Sequence, residues 1–258
     1  MIKVENLRKA FKGHVVHAGI SFVLNKGETL TIIGGSGSGK SILLKQIVGL
    51  VKSDSGSIII DGKEISRLGE DKLQEVQKMI GYVFQESALF DSLTVGENVA
   101  SGLNNLARLT ALETLKIVEE KLALVGLPGI KEFKPAQLSG GMKKRVGIAR
   151  AIAMNPQILL YDEPTTGLDP VMSDVINDLI LKLKKETQMT AIAVTHDMKS
   201  AYKISDRVAM LYQGKILEVG TPQEIQNSKN GIVRQFISGS SSGPIPIPGQ
   251  KFQPLKSE

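Results

Sequence analysis

The sequence contains no cysteine, so disulfide bonds, cysteine-ligated zinc and catalysis by a thiol are excluded. It also lacks a long apolar segment, because no run approaches the ~18–20 residues that a membrane-spanning helix requires. Residues 1–5 mix apolar and charged side chains and do not begin the apolar core of a signal peptide. These absences lead us to expect a globular protein on the cytosolic side of the membrane.

Positive charge is in modest excess, since 32 lysines and arginines outnumber 26 aspartates and glutamates and give a net charge of +6. A weakly basic face can meet phosphates, anionic lipid or an acidic partner. The lysines are spread along the chain, which favours ordinary surface charge, and we expect no nucleic acid partner. With 258 residues, 41% of them hydrophobic, the chain can bury one sizeable core or a core with a large insertion.

The first regular patterns in the chain predict antiparallel strands. Residues 2–7 and 19–24 alternate apolar and polar side chains, as half-buried strands at a sheet edge do. Residues 55–65 predict a hairpin that turns at Asp61 and Gly62. We therefore expect an antiparallel β subdomain near the N-terminus.

Three short apolar runs predict buried strands of a mainly parallel sheet. They span residues 28–33, 158–161 and 190–194, and each is followed by a loop and then by a helical pattern. After the first run, residues 41–48 have helical spacing, and Gly49 is a helix stop.

Residues 87–137 interrupt this alternation with helical periodicity. Apolar side chains recur there every three or four residues, as on one face of a helix. The positions are Leu112, Leu115, Val118, Leu122 and Val125. We therefore predict a helical insertion between two halves of an α/β core. Residues 239–258 combine proline, glycine and serine without periodicity, which predicts a tail that does not fold alone.

A phosphate-binding loop follows the first buried run. Its residues match G-x-x-x-x-G-K-[ST], in which glycines let backbone N–H groups face a phosphate ahead of a helix N-terminus. They are Gly34, Gly35, Ser36, Gly37, Ser38, Gly39, Lys40 and Ser41. We expect Lys40 to reach the β- and γ-phosphates, Ser41 to ligate magnesium, and Ile42 to adjoin the same site. A chance match in a flexible loop is the alternative, and the position between a strand and a helix disfavours it.

Two adjacent carboxylates follow the second buried run. The strand would carry Asp162 to the sheet edge beside the phosphate loop, where it can hold magnesium directly or through water. Glu163, in the same turn, is the predicted general base for the attacking water. Taken alone, Asp162 could instead cap a helix.

The helix start at Ser139, Gly140 and Gly141 is a second candidate anion site. A serine cap followed by free backbone N–H groups suits a γ-phosphate that arrives from across an interface. A helix N-terminus that caps only itself is the alternative.

The phosphate loop, the segment Leu138-Ser139-Gly140-Gly141 and the Asp-Glu pair together resemble the ATP-binding subunit of ABC transporters over about residues 1–235. The resemblance implies an α/β fold with a P-loop NTPase core of the ABC type and a mainly parallel sheet. An antiparallel N-terminal β subdomain and an inserted α-helical subdomain complete it. The implied boundaries are 1–86 for the first part of the core, 87–157 for the insertion with the signature segment, 158–237 for the second part and 238–258 for the tail.

The resemblance also implies roles for three isolated residues. Gln85 matches the glutamine that contacts magnesium or the attacking water, and His196 matches the switch histidine that donates to the γ-phosphate. Phe11 lies where the family places an aromatic ring that stacks on adenine. Without the resemblance, these would be an exposed loop residue, a structural histidine and a core phenylalanine. His14 and His17 fit no motif, and we expect both on the surface.

The cofactors implied by the resemblance are ATP and Mg²⁺. The implied partners are a second ATPase subunit, in the simpler case an identical copy, and an integral-membrane permease that contacts residues 89–90 and 93–95. For those five residues, burial in the core is the alternative. The subunit would then be peripheral on the cytoplasmic face of the inner membrane.

Among ABC transporters, the chain is most similar to the Mla-type ATPases of phospholipid transport, which work with MCE-type lipid-binding proteins. The similarity rests on residues 85–95, on Met142 where glutamine is usual, on Thr166 where many members have serine, and on residues 243–246. An ATPase of an amino-acid or metal importer and a soluble ABC assembly ATPase are the alternatives.

Overall fold

A computed structural model describes residues 1–106 and 109–246, except for the side chains of residues 104–106. In chain order, its strands are β1 (Ile2–Phe11), β2 (His14–Leu24), β3 (Thr29–Ile33), β4 (Ser55–Ile60), β5 (Lys63–Glu64), β6 (Ile80–Val83), β7 (Ile158–Asp162), β8 (Thr190–Thr195), β9 (Arg207–Tyr212) and β10 (Lys215–Gly220). Its helices are α1 (Lys40–Ile47), α2 (Glu70–Gln77), α3 (Val95–Leu106), α4 (Ala111–Leu124), α5 (Gly140–Ile152), α6 (Pro170–Thr187), α7 (Met198–Ile204), α8 (Pro222–Gln226) and α9 (Gly231–Ser238).

A four-stranded antiparallel sheet in the order β2-β1-β4-β5 forms the N-terminal layer. Both of the first predicted strands are present and longer than predicted, because pairing continues to Phe11 opposite His14. The hairpin between β4 and β5 turns as predicted at Asp61 and Gly62, with φ angles of 46° and 80°. Two positive φ angles in a two-residue turn are those of a type I′ turn, which follows the twist of the paired strands.

A six-stranded sheet in the order β10-β9-β3-β8-β7-β6 forms the second layer. Its strands are parallel except β10, which pairs antiparallel with β9. Every residue of β3, β7 and β8 is buried, as expected for strands covered on both faces. The predicted mainly parallel α/β fold with an antiparallel N-terminal sheet is therefore confirmed.

Two hydrophobic clusters cover the two faces of the parallel sheet. One joins it to the antiparallel sheet and to α1, through side chains such as Leu24, Ile32 and Leu44. The other joins it to α3, α4, α5 and α6, through side chains such as Val99, Ile148 and Ile180. The predicted helical insertion thus packs directly on the core.

The apolar face predicted on α4 is buried only in part. Val118, Leu122 and Val125 lie in the core, whereas Leu112 is 77% and Leu115 is 38% exposed. Helical periodicity assigns side chains to a face but does not say how far the neighbouring helices cover that face. The N-terminal part of α4 therefore leaves apolar surface exposed.

The described part of the C-terminal segment folds back onto α9. The backbone N–H of Ile245 donates to Gln235 Oε1 at 2.6 Å, and Gln235 Nε2 donates to the carbonyls of Ser240 and Ile245, both at 3.3 Å. The rest of the predicted tail, residues 247–258, lies outside the described residues. None of the helices in the described residues has both the length and the apolar character needed to cross a bilayer.

Candidate functional site

The carboxyl ends of four parallel strands bring the predicted residues to one edge of the sheet. The loop of residues 34–39 leaves β3, and Gln85 lies two residues beyond β6. Asp162 ends β7 and is followed by Glu163, while His196 comes directly after β8. Since parallel strands end at the same edge, side chains far apart in sequence meet there.

The phosphate loop wraps around the side chain of Lys40. Its Nζ donates to the carbonyl oxygens of Gly34 at 2.9 Å and Gly35 at 3.1 Å, and only 6% of the side chain is exposed. A Cβ atom at Gly34 would lie 2.4 Å from the carbonyl oxygen of Leu211, so this position requires glycine. Burial lowers the pKa of Lys40, and the nearby carboxylate of Glu163 opposes that shift.

Asp162 is bonded to the first turn of α1. Its Oδ1 accepts from Ser41 Oγ at 2.6 Å, and its Oδ2 accepts from the Tyr82 hydroxyl at 2.9 Å. Burial, and secondarily the charge of Asp162, raises the pKa of Tyr82, so the phenol stays protonated as a donor. Tyr82 is a site residue that the sequence patterns did not identify, since an isolated tyrosine on a strand resembles a core residue.

Glu163 is surrounded by donors. Its Oε2 lies 2.9 Å from His196 Nδ1 and accepts from the Thr166 hydroxyl at 3.0 Å, and its Oε1 lies 3.6 Å from Lys40 Nζ. The residue has a φ of 48°, a left-handed conformation that is uncommon for a residue with a side chain. The sequence patterns also missed the contact of Thr166 with Glu163, because only the conformation of the turn after β7 brings these two side chains together.

These groups share one open cavity of about 420 Å³. Its lining includes the predicted residues Phe11, Ser36, Gly37, Ser38, Gly39, Lys40, Ser41, Ile42, Gln85, Glu163 and His196. Gly34, Gly35 and Asp162 do not line it but are bonded to Lys40 and Ser41, which do. Phe11 is 43% exposed, so it is not the core phenylalanine that was the alternative.

The signature residues Ser139, Gly140 and Gly141 do not line this cavity. Ser139 caps α5, with its Oγ accepting from the backbone N–H of Met142 at 3.3 Å. Both Ser139 and Gly140 are exposed. The start of the signature helix is therefore exposed at Ser139 and Gly140 and buried at Gly141, and it lies outside the cavity that the phosphate loop lines.

The same helix holds the loop that carries Gln85. Lys144 Nζ donates to the carbonyl oxygen of Gln85 and lies 3.4 Å from that of Glu163. Arg150 donates to the carbonyls of Ser87 and Ala88, both at 2.6 Å. These two basic residues were not identified from the sequence, because basic side chains on a helix usually face solvent.

One prediction about histidine is wrong. His14 is exposed as expected, but His17 is only 1% exposed and contacts Gly39 and Gln46. Burial lowers the pKa of His17, against the opposing effect of its two hydrogen bonds. The strand carrying His17 passes under the phosphate loop, a long-range contact that no local pattern reveals.

Comparison with known proteins agrees with this geometry. The family described as "ABC transporter" matches residues 17–166, more than half of the chain. The intermembrane phospholipid transport system ATP-binding protein MlaF of Haemophilus influenzae is 37% identical over 245 residues, covering 95% of this chain and 93% of its own length. The probable ribonucleotide transport ATP-binding protein mkl of Mycobacterium tuberculosis is 37% identical over 257 residues, covering 100% of this chain and 72% of its own length.

The same arrangement of strands and helices occurs in a solved ABC cassette. A dimeric post-hydrolysis state of the ATP-binding cassette MJ0796, bound to ADP and Pi, superposes with a TM-score of 0.80 at 35% identity. The match covers 86% of this chain and 99% of that one. Taken with the shared edge of the parallel sheet and its phosphate loop, these similarities place the chain in the ABC transporter family as an ATP-hydrolysing subunit.

Proposed function

We propose that this subunit drives a membrane permease that moves phospholipid, and that it does so as a dimer with an MCE-type lipid-binding protein in the same complex. The observation that carries the ATPase part is the meeting of Lys40, Ser41, Asp162, Glu163 and His196 at one sheet edge. The lipid part is supported by the similarity to the MlaF protein of H. influenzae, which extends over nearly the full length of both chains.

Lys40 and the loop N–H groups bind the β- and γ-phosphates in this proposal. In the structure, Lys40 donates to two loop carbonyls and lies 3.6 Å from the Glu163 carboxylate. An incoming triphosphate replaces the two neutral carbonyl acceptors by charged phosphate oxygens, which form stronger hydrogen bonds. Phe11 gives the adenine ring an apolar contact that does not select among bases.

Glu163 orients the attacking water and accepts its proton, while His196 donates toward the γ-phosphate. His196 and Thr166 hold the Glu163 carboxylate at the rim of the phosphate cavity. Phosphoryl transfer depends mainly on positioning and on electrostatic stabilisation, so a carboxylate fixed by several donors suits the role.

Ser41 and Asp162 fit a magnesium site, with Gln85 as a further oxygen donor. The hydroxyl and the carboxylate lie 2.6 Å apart, and both are hard oxygen ligands of the kind that Mg²⁺ prefers. When bound, the ion neutralises charge on the β- and γ-phosphate oxygens. In the described part of the chain no cluster of three or more acidic, histidine or cysteine side chains suits a metal. A site completed by phosphate and water is consistent with that finding.

Ser139, Gly140 and Gly141 complete the site of a second copy. Ser139 and Gly140 are exposed, Gly141 is buried, and all three lie outside the cavity of their own chain. A capped helix N-terminus attracts a phosphate group. We infer that two copies pair head to tail, so that each signature segment closes over the ATP of the other.

The permease docks on the helical insertion. Phe90 is 55% exposed, and four other apolar side chains between residues 109 and 133 are exposed as well. These are Leu109, Leu112, Leu115 and Phe133. An open groove of about 510 Å³, lined in part by Leu109, Leu115 and Glu97, lies beside α3 and α4. Apolar surface rimmed by charge is typical of a protein contact, and it would hold the subunit at the cytoplasmic face of the membrane.

A permease for a soluble molecule is the second candidate, since the mkl relative carries the name probable ribonucleotide transport ATP-binding protein. Substrate contacts lie in the partner chains, so the partners decide between the two. The test is to tag this chain at its N-terminus, solubilise membranes gently and identify co-purifying proteins by mass spectrometry.

A multi-span permease together with an MCE-domain protein is the expected result. Recovery of a permease with a soluble solute-binding protein would replace lipid by a small molecule. If the chain instead remains in the soluble fraction without any membrane protein, the transporter proposal is wrong and a soluble ABC assembly ATPase takes its place.

A further inference from the structure

A buried polar pair lies beneath the phosphate loop. His17 on β2 and Gln46 on α1 are 1% and 2% exposed. Ring atom Nδ1 of His17 lies 2.7 Å from Gln46 Oε1, and ring atom Nε2 lies 3.1 Å from the carbonyl oxygen of Gly39. Gly39 is the N-cap residue of α1, and no side chain caps that helix. His17 therefore contacts the residue at which the phosphate loop becomes a helix.

The hydrogen-bonding pattern determines which ring nitrogen carries the proton. Burial lowers the pKa of His17, so the ring is neutral at pH 7 and has a single N–H. Both ring nitrogens face oxygen atoms, while Gln46 Nε2 is buried without a hydrogen-bond partner among the described residues. If the amide oxygen and nitrogen of Gln46 exchange places, the ring nitrogen without a proton faces a donor and the amide nitrogen gains a partner. Gln46 Nε2 then donates to Nδ1, and the ring N–H on Nε2 donates to the Gly39 carbonyl.

The Gly39 carbonyl controls the direction of the next amide. Because the peptide bond is planar and trans, the carbonyl of Gly39 and the backbone N–H of Lys40 point in opposite directions. The carbonyl already accepts the first helical bond, from Leu43 N–H at 3.0 Å. A second donor on the same oxygen restrains the peptide plane further. Gly39 has a φ of 97°. Because glycine adopts positive and negative φ angles about equally readily, its backbone has several accessible conformations without such a restraint.

The histidine is itself firmly placed. The backbone N–H of Ala18, the next residue, donates to the carbonyl of Gly214 at 2.8 Å, which ties β2 to the turn between β9 and β10. A Cβ atom at Gly39 would lie 2.7 Å from His17 Nε2, so the ring and the loop are in close contact. A shift of the ring is therefore transmitted to the loop.

We propose that His17 is a positioning residue of the nucleotide site, which holds the Gly39 carbonyl so that the Lys40 amide and the start of α1 face the ATP phosphates. Gln46 selects the ring tautomer that donates to Gly39. This inference rests on the proposed ATP site and adds a residue that touches no nucleotide.

The test is the dissociation constant for ATP, measured by calorimetry on the full chain. His17→Leu removes the donor, and we expect ATP binding about three- to tenfold weaker, the range that one hydrogen bond supplies. His17→Gln keeps a terminal N–H that can reach the Gly39 carbonyl, so its dissociation constant stays within about twofold of the parental value. In steady-state assays of His17→Leu, KM for ATP rises while kcat changes little.

A double variant separates positioning from folding. His17→Leu combined with Gln46→Leu replaces the polar pair by apolar side chains, a change that is close to neutral for stability. If the pair serves only the fold, this variant recovers both the parental melting temperature and the parental ATP affinity. Our proposal expects the melting temperature to recover and the affinity to stay low. Parental affinity in the double variant, or failure of His17→Gln to bind better than His17→Leu, overturns it.

Lys40→Ala distinguishes this inference from the proposed site on which it rests. Loss of ATP binding in Lys40→Ala with parental affinity in the His17 variants rejects only the role of His17. Parental affinity in Lys40→Ala rejects the proposed site itself.

Discussion

At the scale of single residues, the site is built from shared hydrogen bonds rather than from isolated functional groups. The carboxylate of Glu163 is held by His196 and Thr166, and the carboxylate of Asp162 is held by Ser41 and Tyr82. A carboxylate with two fixed donors has few alternative orientations. This arrangement fits the proposed division of tasks, in which Glu163 acts on the attacking water and Asp162 on the metal.

Glu163→Gln tests the proposed base. The amide cannot accept the proton of the attacking water, and general-base catalysis contributes roughly 10²–10⁴-fold, so we expect kcat to fall at least about a hundredfold. ATP binding, measured by calorimetry, should persist because the phosphate loop is unchanged. Glu119→Gln, an exposed acid of α4 paired with Lys131, is the matched control and should hydrolyse ATP normally. Parental turnover in Glu163→Gln would show that another group is the base.

Thr166→Val tests the orientation of that base. Valine has the shape of threonine without the hydroxyl that donates to Glu163 at 3.0 Å. We expect kcat to fall about tenfold with little change in KM for ATP, since a hydrogen bond to a charged group is lost. Thr166→Ser keeps the donor and should restore most of kcat. Equal rates in the valine and serine variants would contradict the proposed contact.

At the scale of elements, helix α5 connects two parts of the site. Its N-terminus presents Ser139 to the outside, and its second and last turns place Lys144 and Arg150 on the backbone of residues 85–88. Movement of the helix therefore moves the Gln85 loop. The insertion, which carries the proposed permease surface, is thus mechanically linked to the nucleotide cavity.

Ser139 has two roles that substitution can separate. Ser139→Ala removes the cap of α5, which costs about 1 kcal/mol and lowers the melting temperature by roughly 2–4 °C. Ser139→Asp caps the helix as well as serine does, but its charge repels the γ-phosphate of the second copy. We expect the aspartate variant to keep the parental melting temperature and to lose ATP hydrolysis.

Thr110→Ala is the control for the cap itself. Thr110 caps α4 in a capping box with Glu113, so its loss costs similar stability at a helix outside the nucleotide cavity. ATP hydrolysis should continue in this variant. If Ser139→Asp also hydrolyses ATP at the parental rate, then the signature segment serves only as a helix cap.

At the scale of the whole molecule, the cavity and the signature segment lie on separate parts of the surface. One chain carries every group of a complete site but does not bring all of them together, since Ser139, Gly140 and Gly141 do not line the cavity. In the proposed head-to-tail pair of identical copies, each copy supplies the groups that the other lacks. Binding of ATP and association of the subunits are then the same event.

ATP-dependent dimerisation follows from this arrangement. With ATP and Mg²⁺, Glu163→Gln should elute in size-exclusion chromatography with light scattering at twice the 27.8 kDa of one chain. Without nucleotide it should elute at a lower mass. The Lys40→Ala/Glu163→Gln variant, which lacks the phosphate-binding lysine, should not respond to ATP. A Glu163→Gln protein whose mass is unchanged by millimolar ATP would contradict the shared site.

Local features of the sequence predicted much of the fold and most of the cavity. Three short apolar strands come directly before the phosphate loop, before Glu163 and before His196. Their burial can be predicted from their own residues, without knowing which strands lie beside them. The turn at Asp61 and Gly62 also follows from residue type, because few residues adopt two consecutive positive φ angles. Leu112 shows the limit of such patterns: it lies at a position that helical periodicity assigns to the apolar face of α4, yet its side chain is exposed.

The sequence by itself therefore determined the fold class, the phosphate loop and the acids that follow β7, because each depends on residues that are adjacent or regularly spaced. Only the tertiary structure decided which side chains hold them: Tyr82 on Asp162, Thr166 on Glu163, Lys144 on the Gln85 loop and His17 on Gly39. All but one of these contacts join separate elements of the chain, and the threonine contact depends on the shape of a turn. Their geometry is set by the order of strands in the sheet and by the packing of helices on it, which no local pattern encodes.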